Sequence, residues 1–369
     1  MLEKEKLLAV LRLQKTKAVG DVLAKKLIVS TGDVCQIFKE KPLTLQKING
    51  IGTHVTEQLF DKQNITLAEK ELDYIERHKV SYSYFLEDDY PKNLLECIDA
   101  PILLFKDGNI NLHNERIISI VGTRNMTSYG SGFCKELIAD LKAYNPIIVS
   151  GFAYGVDICA HKEAMKNNLQ TIAVLAHGFE QIYPKVHKKY IHQVHENGGF
   201  ITEFWHDEDP LREHFLKRNR IVAGISQATI IIESAEKGGS LVTADIANSY
   251  SRDVFALSGR TTDLYSKGCN NLIKNNKAAL LTSAQDIAKM LNWDLPQSRS
   301  STPKQQQLFV ELNETEQKIY DYLLANRKQR LDSISFDCRI PIYQLSAVLI
   351  QLELKGVVKP LPGKLFEAV

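Results

Sequence analysis

Residues 116–133, RIISIVGTRNMTSYGSGF, set an apolar run directly against a glycine, an arginine and the start of a helix. A run this apolar, with almost no polar alternation, reads as a strand covered on both faces. Gly122 ends the strand, and the next helix is expected to begin near Gly130. The same sequence grammar recurs in PIIVSG (146–151), TIAVLA (171–176), GFITEF (199–204), ATIIIE (228–233) and DVFALSG (253–259). Segments of helical length separate these runs. The alternation predicts an α/β domain over 81–295 built on a doubly wound, mostly parallel sheet, with ligands at the C-terminal edge of the strands.

The flanks differ in kind. Residues 1–80 show three- and four-residue apolar spacing in LLAVLRLQ and TLAEKELDYIE, which predicts a small helical domain. Two phrases inside it, TKAVGDVLAKKLI (16–28) and INGIGTHVTEQLF (48–60), place a glycine bend before a helix, as in a helix-hairpin-helix or SAM-like unit. Gly50-Ile51-Gly52 permits a tight turn with amides free for a phosphate, while the first phrase keeps only one glycine; DNA contact and plain packing are both open here. Residues 296–307, PQSRSSTPKQQQ, read as a linker. Beyond it, 308–369 offers three helices and a terminal β-hairpin, the pattern of a winged helix, with Asn313 as the expected first N-cap. Its third helix, 342–354, carries no Arg or Lys, so groove reading is not expected of it.

With 369 residues, 44% of them hydrophobic, the chain has material for two or three domains. No apolar run is long enough to span a bilayer and the charged start, MLEKEKLLAV, does not resemble a signal peptide, so a cytoplasmic protein is expected. Six scattered cysteines without a CxxC pair predict reduced thiols and no metal site. The net charge of +2 means that any polyanion must be met by a local patch rather than by the overall field.

Three glycine turns supply that patch. Gly122 and Arg124 follow the first strand, and Gly151 follows the second in SGFAYGVDICAH (150–161). In EKGGSLVTADIA (236–247), Gly239 and Ser240 precede a helix expected to begin at Leu241, and the Thr243 hydroxyl joins the free amides of its first turn. Together on one edge they predict a phosphate-bearing ligand. The fourth element is HFLKRNRIVAG (214–224), in which Phe215 offers a stacking surface beside Lys217, Arg218 and Arg220, as single-strand nucleic-acid binding requires. Arg220 has a second reading, as a buried brace to an acidic residue.

Other chemistries find little support. No G-x-G-x-x-G dinucleotide fingerprint or P-loop occurs, and no nucleophile phrase such as G-x-S-x-G is present. Asp157 and His161 share a helix face and read as loop-holding residues before an acid–base pair, while Glu203 and Glu233, at strand ends, either touch a ribose or cap loops and pair with arginines. No cofactor and no catalytic residue are expected.

The phrases SIVGTRNMTSYG, SGFAYGVDICAH, AVLAHGFEQIYP, HFLKRNRIVAGIS, GGSLVTADIA and GCNNLI, in this order across roughly 80–285, resemble the DNA-processing protein A (DprA, or Smf) family of bacteria. The resemblance implies a Rossmann-like domain that binds single-stranded DNA, forms a homodimer, protects incoming DNA and loads the recombinase RecA on it in natural transformation. It implies no catalysis. Carried over residue by residue, the family's pocket falls on Arg124, Lys217, Arg218 and Arg220, with Gly122, Gly151, Gly239 and Ser240 against phosphate; Thr123, Phe215, Asn219 and Thr243 complete the expected DNA-binding set. The chain departs from the family at Gly238-Gly239-Ser240-Leu241, at Ser258-Gly259, and at Asn276-Lys277, where Asn must tolerate a left-handed backbone in place of glycine. A rival reading comes from related Rossmann-like enzymes that hydrolyse the glycosidic bond of nucleoside monophosphates. Their P-G-G-x-G-T phrase is incomplete here, since EKGGSLVTA lacks the proline and the second half.

Overall fold

The computed structural model of the chain describes residues 2–112, 114–293, 312–361 and 365–368. The linker expected at 296–307 lies outside the described residues. The chain divides into two compact units, Met1–Pro296 and Gln297–Val369.

The first unit is organised by a nine-stranded sheet of β1 (Ser81–Tyr84), β2 (Leu103–Gly108), β3 (Ile117–Val121), β4 (Ile147–Ser150), β5 (Thr171–Val174), β6 (Gly198–Thr202), β7 (Ala228–Ile231), β8 (Asp253–Leu257) and β9 (Ala279–Leu281). Their order across the sheet is β1-β2-β6-β5-β4-β3-β7-β8-β9. Strands β3 to β9 run parallel, and they include all six apolar runs read from the sequence. The antiparallel pair β1 and β2 extends the sheet beyond β6 and was not anticipated. Winding reverses at β3, because the chain proceeds from it to β4 on one side while β7 lies on the other.

Period-two alternation sorts the buried residues of each strand onto opposite faces. Ile118 and Ile120 join Ile148, Ile230 and Phe255 in one apolar cluster under the helices Ser128–Leu141 and Val156–Lys166. Ile117 and Val121 point the other way, into a larger cluster with Val149, Ile172 and Ile231. Helix Arg212–Ile225 covers that face through Ile221, Val222 and Ile225. Ser119, buried between strands and helix, donates to the Val222 carbonyl at 2.6 Å.

The N-terminal helices belong to this same cluster through Leu7, Val10, Leu11, Leu13 and Leu27. The change of pattern at residue 80 is therefore a change of secondary structure inside one compact unit. Gly50 takes φ +95 in the second bend, and Gly52 stands at the N-cap of Thr53–Leu59. In the first bend Ala18 itself adopts φ 64 where the second has a glycine. Asn276 sits at φ 56, the left-handed conformation its sequence position demanded.

Polar contacts, buried and half-buried, fasten the helical segment to the rest of the unit. The Glu71 carboxylate hydrogen-bonds His206, and Lys15 pairs with Glu208 at 3.0 Å. At the centre, the Arg220 guanidinium meets Asp21 at 3.1 Å and also reaches Glu203 and the Asp99 carbonyl. Lys217 adds a second cation to Glu203 at 2.9 Å. Desolvation pushes the Glu203 carboxyl up, and Arg220 and Lys217 pull it back only in part. Desolvation likewise opposes the Arg220 charge, but Glu203, Asp21 and Asp99 outweigh it and hold the guanidinium above its ordinary value.

In the second unit, helices Glu314–Asn326, Leu331–Cys338 and Ile342–Leu354 pack around Ile319, Leu323, Ile334, Leu345 and Leu349. Strands β10 (Gln329–Arg330), β11 (Val358–Leu361) and β12 (Leu365–Ala368) form a sheet in the order β10-β12-β11, completing a winged helix. Asn313 caps the first helix, accepting from the Glu316 amide while the Glu316 carboxylate accepts from the Asn313 amide. The six cysteines are free thiols. Among the described residues no helix is long and apolar enough to cross a membrane.

Removing Arg220 takes the ion-pair partner from Asp21 and leaves Glu203 with Lys217 alone, and breaking a buried pair on one side costs about 3 kcal/mol or more. Arg220→Ala is expected to lower the urea midpoint of the first unit accordingly. An unchanged midpoint would show that the contact carries no stability.

Candidate nucleic-acid interface

Reversal of winding leaves a crevice where the loops after β3 and β7 diverge. The cleft there has a volume of about 780 Å³. Its floor and walls come from the turn after β3 (Gly122 to Asn125), the turn after β4 (Gly151, Ala153), the turn after β7 (Ser234 to Gly239) and one face of helix Arg212–Ile225. These are the three glycine turns read from the sequence, and they converge because β4, β3 and β7 are neighbours.

Local chemistry explains each wall. Thr127 caps helix Ser128–Leu141, accepting from the Gly130 amide at 3.2 Å, and the Glu233 carboxylate accepts from the Thr127 amide and hydroxyl at 2.8 and 2.5 Å. Glu233 thus ties the turn after β7 to the turn after β3 and holds the cleft mouth; it faces threonine rather than a ligand. A Cβ on Gly155 would strike the Thr123 carbonyl, and Gly155 takes φ +73, so only glycine lets the β4 turn lie against the β3 turn. Helix Gly239–Ser249 starts two residues earlier than expected, with Ser240 donating to the Ser234 hydroxyl at 2.9 Å.

The cleft is cationic. Arg124, Arg212, Arg218 and Lys237 line it against one carboxylate, Asp157. Arg218 is 4% exposed. Its Nη1 donates to the Val174 carbonyl at 2.6 Å, and its Nε finds no acceptor among the described residues. Burial lowers this guanidinium to about 10, opposed by Asp157, so it remains a cation at neutral pH. Burial in turn raises the Asp157 carboxyl against the pull of Arg218. Arg124 is exposed, with its guanidinium 5.5 Å from the centre of the Phe215 ring, and Tyr183 meets the same ring edge-on at 5.4 Å. Charge and aromatic surface thus share one opening.

His161 stands behind the β4 turn, fully buried. Thr171 spends its single hydroxyl proton on the Ile148 carbonyl at 3.0 Å, so it must accept from His161 Nδ1–H at 2.7 Å. That fixes Nδ1 as a protonated nitrogen, and burial, which holds the pKa down to about 3, keeps the ring neutral with a bare Nε2. Asp157 and His161 therefore hold structure: the carboxylate accepts from the Ala153 amide at 3.4 Å and the ring spans to β5.

Of the twelve residues named from sequence, Gly122, Thr123, Arg124, Gly151, Phe215, Arg218, Asn219, Gly239, Ser240 and Thr243 line the cleft. Lys217 and Arg220 do not. At 3.6 residues per turn, 212, 215, 219 and 222 fall on one face of the helix, whereas 213, 217, 220 and 224 fall on another. The LysArgAsnArg cluster is contiguous only in sequence, and its Lys217 and Arg220 turn to Glu203 and Asp21. Arg220 is the buried brace. Arg212, Lys237, Asn125 and Tyr183 also line the cleft and stand outside that set. Lys237 had a signal, lying one residue before the paired glycines; Arg212 had only its position at the head of the helix.

Fold and site together define a Rossmann-like protein with a cationic cleft at its switch point, carrying a separate winged helix. Residues 81–292 match the family model described as DNA recombination-mediator protein A, and 301–364 match the DprA winged helix domain. The chain belongs to the DprA/Smf family. It is 30% identical to protein Smf of Synechocystis over 96% of both chains, and 39% identical to DNA processing protein DprA of Streptococcus pneumoniae over 55% of this chain and 71% of that one. Among solved structures, DprA of Streptococcus pneumoniae superposes with a TM-score of 0.67 at 31% identity, covering 79% of this chain and 99% of that one. DNA processing protein A of Helicobacter pylori, whose structure is described in terms of its single-stranded DNA binding mode, gives 0.52 at 31% identity, covering 57% and 96%.

Because the folded His161 titrates at about 3 and an unfolded histidine near 6.5, the unfolded chain takes up a proton in that window and the native one does not. Stability from this group is therefore lost as pH falls from about 6.5 towards 3. His161→Phe is expected to reduce the loss of unfolding free energy between about pH 7 and pH 5 by about 1–2 kcal/mol in urea titrations. Equal pH slopes in variant and wild type would contradict the neutral buried ring.

Proposed function

We propose that the cleft holds single-stranded DNA independently of its sequence, as a DNA processing protein in natural transformation, without a covalent step. The observation that carries this reading is the set of four cations, Arg124, Arg212, Arg218 and Lys237, converging with Phe215 and Tyr183 on three glycine turns. Cations and turn amides suit phosphates, and aromatic faces suit bases of any identity. Membership of the family supports it, as does the Helicobacter pylori relative described by its single-stranded DNA binding mode. Protection of incoming DNA, homodimer formation and delivery to RecA follow from the same family reading and extend it to partners. The DNA-binding residues are then Arg124, Arg212, Arg218, Phe215 and the turns at Gly122, Gly151 and Gly239, with Lys217 and Arg220 acting through the position of their helix.

Arg124→Ala and Arg212→Ala are each expected to weaken oligothymidylate binding and to lower the slope of log K against log[salt] by about 0.7 per lost phosphate contact. Fluorescence anisotropy across a salt series reads both quantities. Lys217→Ala, whose partner is Glu203, is expected to change the slope little. Unaltered affinity and slope in both arginine variants would sink the proposal.

A further inference from the structure

Beside the cleft lies a second basic surface whose lysines are not part of the cleft lining. Residues 181–195, QIYPKVHKKYIHQVH, hold three lysines and no acid. Lys185, Lys188 and Lys189 are exposed on the short helical turn Lys185–Tyr190, and Lys162 is exposed on the neighbouring helix Val156–Lys166. Among the described residues, none of these four ammonium groups has an ion-pair partner. The nearest carboxylate in sequence to Lys162, Glu163, is 8% exposed and faces Lys166 at 3.8 Å.

Aromatic rings run between these charges. Tyr154, 41% exposed, meets His187 edge-on at 5.2 Å, and His187 meets Tyr190 at 6.0 Å. Lys189 and Lys162 place their ammonium groups 5.2 and 5.8 Å from the Tyr190 ring. His187 is buried and bonds through Nδ1 to the Phe152 carbonyl at 2.9 Å, which fixes the lysine turn to the β4 turn. The surface joins the cleft at two points of the chain. Tyr154 follows Ala153, which lines the cleft, and Lys185 comes two residues after Tyr183, which also lines it. Two residues separate Cα atoms by at most about 8 Å.

We infer that a DNA strand leaving the cleft continues over this ridge, its phosphates on Lys185, Lys188 and Lys189 and its bases against Tyr154 and Tyr190. The inference rests on the cleft reading and adds a second, separable subsite to it. Unpaired cations beside an exposed ring, Tyr154, and a half-buried one, Tyr190, are what a sequence-tolerant strand track needs.

The test compares oligothymidylates of about 6 and about 20 nucleotides, the shorter sized for the cleft alone, on the full chain. Lys185→Ala/Lys188→Ala/Lys189→Ala is expected to bind the long strand about tenfold more weakly, with a salt slope smaller by about 2, and the short strand within about twofold of wild type. Tyr154→Ala is expected to weaken the long strand while leaving the salt slope unchanged. Single Lys185→Glu, at an exposed position, repeats the direction if the triple variant fails to fold. Wild-type behaviour of the triple variant on both strands overturns the inference. Equal loss on both strands also overturns it, because the lysines would then act through the cleft. Arg124→Ala weakens both lengths if the cleft reading holds; a wild type that binds neither strand removes both.

Discussion

Strand β3 has parallel neighbours on both sides, and the chain reaches them by turning in opposite directions. No helix can then cover the C-terminal ends of β3 and β7 together, since each departing helix follows its own side of the sheet. The uncovered ends leave backbone amides pointing into a crevice. Everything else about the site is fitted to that opening: glycines bring the turns close, Glu233 bonds one turn to the other, and Arg218 is buried at the bottom where a strand carbonyl receives it. The cleft is a consequence of topology before it is a consequence of charge.

Helix Arg212–Ile225 translates this opening into a connection with the rest of the unit. One face supplies Phe215, Arg218 and Asn219 to the cleft, a second packs Ile221 and Ile225 on the sheet, and a third sends Lys217 and Arg220 to Glu203 and Asp21. The N-terminal helices therefore bear on the cleft although they do not line it. A cation cluster that looks like one feature in the sequence is divided among jobs by the 100° step between successive residues.

That division marks where the sequence could be read and where it could not. Strands β3 to β8 were legible because burial on both faces leaves uninterrupted apolar runs. Strand β1, SYSY, carries no such run; β9 is three residues long, too short for any periodicity; and β2, LLFKDG, ends in charge. In the site, Gly122, Arg124, Gly151 and Gly239 could be found because each follows a strand. Lys217 and Arg220 could not be separated from Arg218 without knowing which way the helix faces, since Glu203 and Asp21 come from remote segments. Arg212 and Tyr183 enter the cleft only through tertiary folding, and no local pattern announces them.

Gly151 and Arg218 illustrate a further property of the cleft. A Cβ on Gly151 would occupy the space of the Arg218 guanidinium, and that guanidinium has its Val174 carbonyl and its neighbouring Asp157 only in that space. The two positions, 67 residues apart in the chain, form a single steric unit in which the absence of one side chain is the condition for the presence of the other. Neither can drift alone without disturbing its counterpart. Across related chains they are expected to vary jointly, so that a side chain at the first position accompanies a smaller or differently aimed residue at the second.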